Sequence, residues 1–75
     1  MNAAMNKQLN HTLSDGLLVT YVKLRKGTPL AVCYVTDLTA TARIVLDLEG
    51  KKIVSTQVQV TDADIAGLVE AIQKA

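Results

Sequence analysis

The stretch that most restricts this chain is LTATARIVLDL, residues 38–48. Leu38, Ala40, Ala42, Ile44, Leu46 and Leu48 share one parity; Thr39, Thr41, Arg43, Val45 and Asp47 share the other. A helix scatters such a set around its circumference, whereas a strand gathers it on one face. The segment reads as a half-buried strand, which needs a sheet beside it and a layer over one face. Glu49-Gly50-Lys51 supplies a turn, and residues 53–60 supply the partner. Opposed residues of an antiparallel pair share a face. A three-residue loop sets Leu46 against Val54, Ile44 against Thr56, Ala42 against Val58 and Ala40 against Val60. A two-residue loop mixes core with solvent, so the three-residue register is expected.

The covering layer follows at once. Thr61 is a good N-cap, because its hydroxyl accepts from a free N–H of the first helical turn. Asp62 and Asp64 suit the positive end of the helix dipole, and Lys74 suits the other end. Ile65, Leu68, Val69 and Ile72 recur at i, i+3, i+4 and i+7, one apolar stripe. Gly67 costs roughly 1 kcal/mol against Ala inside a helix, so it marks a close backbone approach.

Upstream lie two further strands, residues 17–25 (LLVTYVKLR) and 30–36 (LAVCYVT), joined by the turn Lys26-Gly27-Thr28-Pro29. Both carry apolar side chains on both parities. Asp37 marks a break or bulge after the second. Residues 1–15 place Met1, Met5, Leu9 and Leu13 four apart, a thin stripe with Asn2, Asn6, Asn10 and Thr12 between. That arm is expected as a short helix or a disordered segment, closed by the turn Asp15-Gly16. The fold class is α+β: a four-stranded antiparallel β-meander with a C-terminal amphipathic helix packed on one face. Residues 1–15 form the arm and 16–75 a single ββββα domain. Four strands followed by a helix resembles the layout of one class of single-strand-binding domains; none of their motifs is present, so nothing is carried over.

Little in the sequence points to catalysis. His11, Ser14 and Asp15 hold the letters of a hydrolase triad, but triads are assembled by a fold from distant positions. Cys33 sits in mid-strand as a small buried hydrophobe. Asp62 and Asp64 are accounted for by capping, and Asp47 and Glu49 by solvation at a turn. One cysteine and one histidine exclude an internal disulfide and a four-ligand zinc site of the common kind. No enzyme activity and no cofactor or metal are expected. The net charge of +1 gives no global field for nucleic acid or an anionic membrane. No apolar run is long enough to span a bilayer, and the N-terminus lacks the apolar middle of a secretory signal. The expected setting is cytoplasmic.

Two functional readings remain. The first is a protein-interaction or assembly module, self-associating through Leu17, Val19, Tyr21, Ala31, Cys33 and Val35. These residues form the apolar parity of the first two strands, assigned to the face away from the helix. A chain of 75 residues buries little surface, which favours association. The second is a nucleic-acid-binding module. In a meander the first and third turns lie at one end, where Lys23, Arg25, Lys26, Lys51 and Lys52 would converge, with Arg43 on the polar face. Only Tyr21 and Tyr34 are available for base stacking.

Overall fold

In a computed structural model, which describes residues 5–36 and 41–74, the chain forms five strands and one helix. They are β1 (Met5–Thr12), β2 (Leu18–Leu24), β3 (Leu30–Thr36), β4 (Thr41–Asp47), β5 (Lys52–Thr56) and α1 (Asp62–Lys74). The strands form one antiparallel meander in sequence order, so β1 and β5 are its edges. The α+β class and the C-terminal helix are as expected; the sheet has one strand more. The expected break or bulge at Asp37 and the strand start at Leu38, Thr39 and Ala40 lie outside the described residues.

The additional strand is β1, where a short helix or disordered arm was expected. A spacing of four fits both periods, since it is nearly one helical turn and also twice the strand repeat. The asparagines that weaken a helix do not prevent an edge strand. The alternation in β1 is regular: Lys7, Leu9 and His11 are half-buried, while Asn6, Gln8, Asn10 and Thr12 are exposed. Leu13 ends the strand as a buried residue, and Leu13 N–H donates to Leu17 O at 2.8 Å across the turn. Gly16 in that turn has φ +92°, a conformation open mainly to glycine.

The core lies between the sheet and α1. Val19, Val22, Ala31, Cys33, Val35, Ile44 and Leu46 meet Leu68, Val69 and Ile72, all buried. The parity of β2 changes partway along. Val19 pairs with Val35 and Tyr21 with Tyr34, so Thr20 is an extra residue, a β-bulge. Val19 and Val22 therefore share the core face, and Tyr21 points the other way.

The β4–β5 hairpin departs from the expected register in one respect. Ile44 pairs with Thr56 as anticipated, but Leu46 pairs with Ile53 rather than Val54. Asp47 Oδ1 accepts the N–H groups of Glu49 and Gly50, both at 3.0 Å, and Lys51 takes φ 55°. This side-chain-closed turn brings Lys52 opposite Asp47, and a bulge at Val54 restores the pairing beyond it. Val54 is thereby turned outward, 55% exposed. Strand β5 ends at Thr56, although Gln57 N–H still donates to Arg43 O at 3.1 Å; the expected Ala42–Val58 strand pair does not form, and Val58 and Val60 pack on the core from the connection to α1.

The helix begins as the sequence implies. Thr61 Oγ1 accepts Asp64 N–H at 3.1 Å, and Asp64 Oδ2 accepts Thr61 N–H at 3.1 Å, a reciprocal cap. Asp64 also reaches outside the helix, accepting Ser14 N–H at 2.9 Å and Ser14 Oγ–H at 2.8 Å. The β1–β2 turn is thus bolted to the start of α1. Midway along α1, a Cβ added at Gly67 would lie 3.2 Å from His11 Cε1. The close approach implied by Gly67 is made by the histidine of β1.

Candidate functional site

Five of the six residues expected at a self-association surface lie on the core side instead. Val19, Ala31, Cys33 and Val35 are buried beneath α1, and Leu17 is half-buried against the same cluster. Among the six, Tyr21 stands on the opposite face. The β2 bulge and the β3–β4 register cause this: Ala31 and Cys33 pair with Leu46 and Ile44, the core residues of β4. Small side chains at 31 and 33 sit where the helix packs. The other parity of β3, Leu30, Val32, Tyr34 and Thr36, is left on the helix-free face.

That helix-free face is organised in rows across the strands. Gln8, Tyr21, Tyr34 and Arg43 oppose one another in one row; Asn6, Lys23, Val32, Val45 and Ser55 form the next. The rings of Tyr21 and Tyr34, both half-buried, lie 5.8 Å apart at 44°, a tilted pair. Val32, flanked by Lys23 and Val45, is buried, whereas Leu18, Leu30 and Val45 are half-buried. Thr20 and Thr36 share a hydroxyl–hydroxyl hydrogen bond of 3.2 Å at the border. Among the described residues, no element packs over this face. It has an apolar, aromatic centre and a polar rim of Thr, Asn, Gln, Lys and Arg.

The six cations fall into two groups. Lys23 and Arg43 stand on the helix-free face by register, with Arg25 and Lys26 in the turn at its end. The β2–β3 and β4–β5 turns do meet, since Leu48 N–H donates to Pro29 O at 2.8 Å. Lys51 and Lys52, however, line a groove beside α1 with Ile53, Asp62 and Glu70. Among the described residues, none of the six takes part in an ion pair.

Chemistry at the individual groups is quiet. Burial pushes the Cys33 thiol up to about 12, so it stays protonated and poorly nucleophilic. The Asp64 carboxyl is held below its ordinary value by the Thr61 N–H, then by the Ser14 hydroxyl, a capping environment. Among the described residues, no three of His, Cys, Asp and Glu cluster as metal ligands. No helix among them is long and apolar enough to cross a membrane. Sequence reasoning missed that Val32 and Tyr34 belong to the helix-free face. The available signal was Tyr34 itself, whose hydroxyl favours a wet face over a core packed with Ala and Cys.

Comparison with protein-family models, with curated proteins and with solved structures finds no match for this chain.

Proposed function

We propose that this chain is a small non-enzymatic interaction module that self-associates through the helix-free face of its sheet. The observation that carries the reading is the uncovered centre formed by Tyr21, Val32, Tyr34 and Val45, ringed by polar residues. An apolar patch with a polar rim is how interfaces are built. Five strands at ~4.8 Å and seven residues at ~3.3 Å give a footprint of about 500 Å², near the lower end of what a stable association needs per partner. Both sheet edges carry features that resist edge pairing: a bulge and a lysine at each, Lys7 in β1 and Lys52 in β5. Association by the face is therefore favoured over association by the edge. Sedimentation at micromolar concentration tests this. A concentration-dependent dimer lost in Tyr34→Lys supports it, and a monomer at all concentrations sinks it.

A second reading has its own observation. The tilted tyrosine pair shares a row with Arg43, and Lys23 stands in the next row. Aromatic faces beside unpaired cations suit single-stranded nucleic acid. Anisotropy with a labelled oligothymidine at two salt concentrations separates the readings. Salt-dependent binding weakened by Arg43→Gln would move the partner from a second copy to a nucleic acid.

A further inference from the structure

The turn that fastens α1 also holds an aspartyl–glycyl bond. Between β1 and β2 the chain runs Leu13-Ser14-Asp15-Gly16-Leu17, and Ser14, Asp15 and Gly16 are all exposed. Of the five aspartates only Asp15 precedes a glycine; Asp37 and Asp47 precede leucines, Asp62 an alanine and Asp64 an isoleucine. A side chain on the following residue crowds the peptide nitrogen, whereas glycine leaves it accessible. The space beside Gly16 is open as well: a Cβ added there would meet nothing within 4 Å.

The polar tethers at this bond are slight. Asp15 Oδ1 accepts Leu17 N–H at 3.4 Å, a long bond that holds the carboxyl loosely. Gly16 N–H donates to Leu13 O at 2.9 Å and closes the turn. Both bonds lie at an exposed tip, where backbone hydrogen bonds open at small cost. Asp64 is the contrast. Its carboxylate is buried and accepts Ser14 N–H, Ser14 Oγ–H and Thr61 N–H. The nitrogen that follows it, Ile65 N, donates to Thr61 O at 3.0 Å inside the helix. Asp47 is likewise committed, with Oδ1 accepting from Glu49 and Gly50.

We propose that Asp15-Gly16 is a site of spontaneous backbone modification, the isomerisation of aspartate to isoaspartate, and that the product loosens the fastening of α1. Gly16 N attacks Cγ of the Asp15 carboxyl in its acid form. An N–Cγ bond forms, and the carboxyl hydroxyl leaves with the Gly16 amide proton as water. The product is a cyclic imide. One water then adds to either imide carbonyl. Breaking the N–Cγ bond restores aspartate. Breaking the original peptide bond leaves the chain running through Cβ and Cγ, with the former backbone carbonyl as a free carboxylate. Composition is unchanged overall, and no oxidant or cofactor is consumed. The new link adds a methylene to the backbone of a tight turn. Ser14, next to it, holds Asp64 through bonds of 2.9 and 2.8 Å, which a lengthened turn displaces. The site is separate from the helix-free face, and the inference stands or falls independently of self-association.

The test incubates the full chain in H₂¹⁸O at mildly acidic pH, beside a synthetic peptide of residues 8–23, the fragment that trypsin releases around Asp15. Ring opening inserts one ¹⁸O at residue 15, and a methyltransferase specific for isoaspartyl carboxylates reads the rearranged product. The folded chain should accumulate isoaspartate at Asp15 before any other aspartate, no more than about tenfold slower than the peptide, because an exposed turn opens at small cost. Asp15→Glu, which must close a larger ring, should lose the signal while keeping the charge. The isoaspartyl form, separated by chromatography and ¹⁵N-labelled, should show shifted amides at Ser14 and Asp64 and a lower Tm. Label in the peptide but not in the folded chain, or product first at another aspartate, would overturn the proposal. So would a rate that rises with urea in step with global unfolding, or an isoaspartyl form whose Ser14 and Asp64 amides match the wild type.

Discussion

Along β1 the sheet meets α1 through a bolted contact: a buried carboxylate holding the Ser14 turn, a histidine against a glycine, and the buried Leu13 at the end of the strand. Along β5 the same sheet meets the same helix across an open groove, with Ile53 and Ile65 only half-buried. Both halves use aliphatic side chains of similar size. They differ in the polar anchors that set where the helix sits. One end of one helix, tied to one turn, decides which half of the core face is sealed and which remains available. Apolar burial holds the layers together without direction; directional hydrogen bonds choose the placement.

The comparison can be broken most forcefully by equal truncations on its two sides. Leu68→Ala, in the sealed half, should cost about 2–5 kcal/mol. Ile53→Ala, beside the groove, should cost less, roughly 1–2 kcal/mol, because part of its side chain already stays in water. Urea denaturation measures both, and equal losses would mean that the groove is closed in solution.

Acidification should loosen the anchored half selectively. The folded Asp64 carboxyl titrates below its ordinary value of 3.8. Its bonds therefore add stability at pH values above that ordinary value, and the contribution disappears as pH falls through the lower folded one. Below about pH 4 the wild type should lose Tm faster than Asp64→Asn, which lacks this titration from the start. Parallel Tm–pH curves for the two proteins would remove Asp64 as the anchor.

A double-mutant cycle sharpens the helix contact. Gly67→Ala gains helix propensity of about 1 kcal/mol but brings Cβ within 3.2 Å of His11 Cε1. It should be near neutral in the wild type and stabilising by about 1 kcal/mol in His11→Ala. Identical effects in both backgrounds would show that the histidine is not in contact. The smallest change should be Val54→Thr, at a side chain 55% exposed on the bulge. It should stay within about 0.5 kcal/mol of wild type by urea denaturation, and a larger loss would place Val54 against something in solution.

Much of the architecture was legible because its signals are local. The alternation of Thr41–Asp47, the cap at Thr61 and the stripe through Leu68, Val69 and Ile72 each specify an element within a few residues. Strand β1 was not, since a spacing of four fits a helix or a strand, and the choice depends on whether β2 offers an edge. The candidate surface was misplaced for a related reason. Val19 and Tyr21 share a parity, and only the bulge at Thr20 sends them to opposite faces. A bulge depends on how three strands align, information spread over β1, β2 and β3. The cations at 23, 25, 26, 51 and 52 were expected to converge on one rim; the two turns do meet through Leu48 and Pro29, but Lys23 stands within β2 and Lys51 and Lys52 line the helix side.

Residue order alone determined that this chain would form strands in a meander, end in a capped helix, and bury an aliphatic core poor in aromatic rings. Those outcomes rest on periodicity and on contacts a few residues apart. Three-dimensional assembly decided which side of β2 and β3 the helix covers, that Tyr21 and Tyr34 stand together on the open side, and that a groove survives beside β5. Each depends on contacts between residues far apart in the chain, such as Ser14 with Asp64 and His11 with Gly67, whose partners are chosen only when the elements meet.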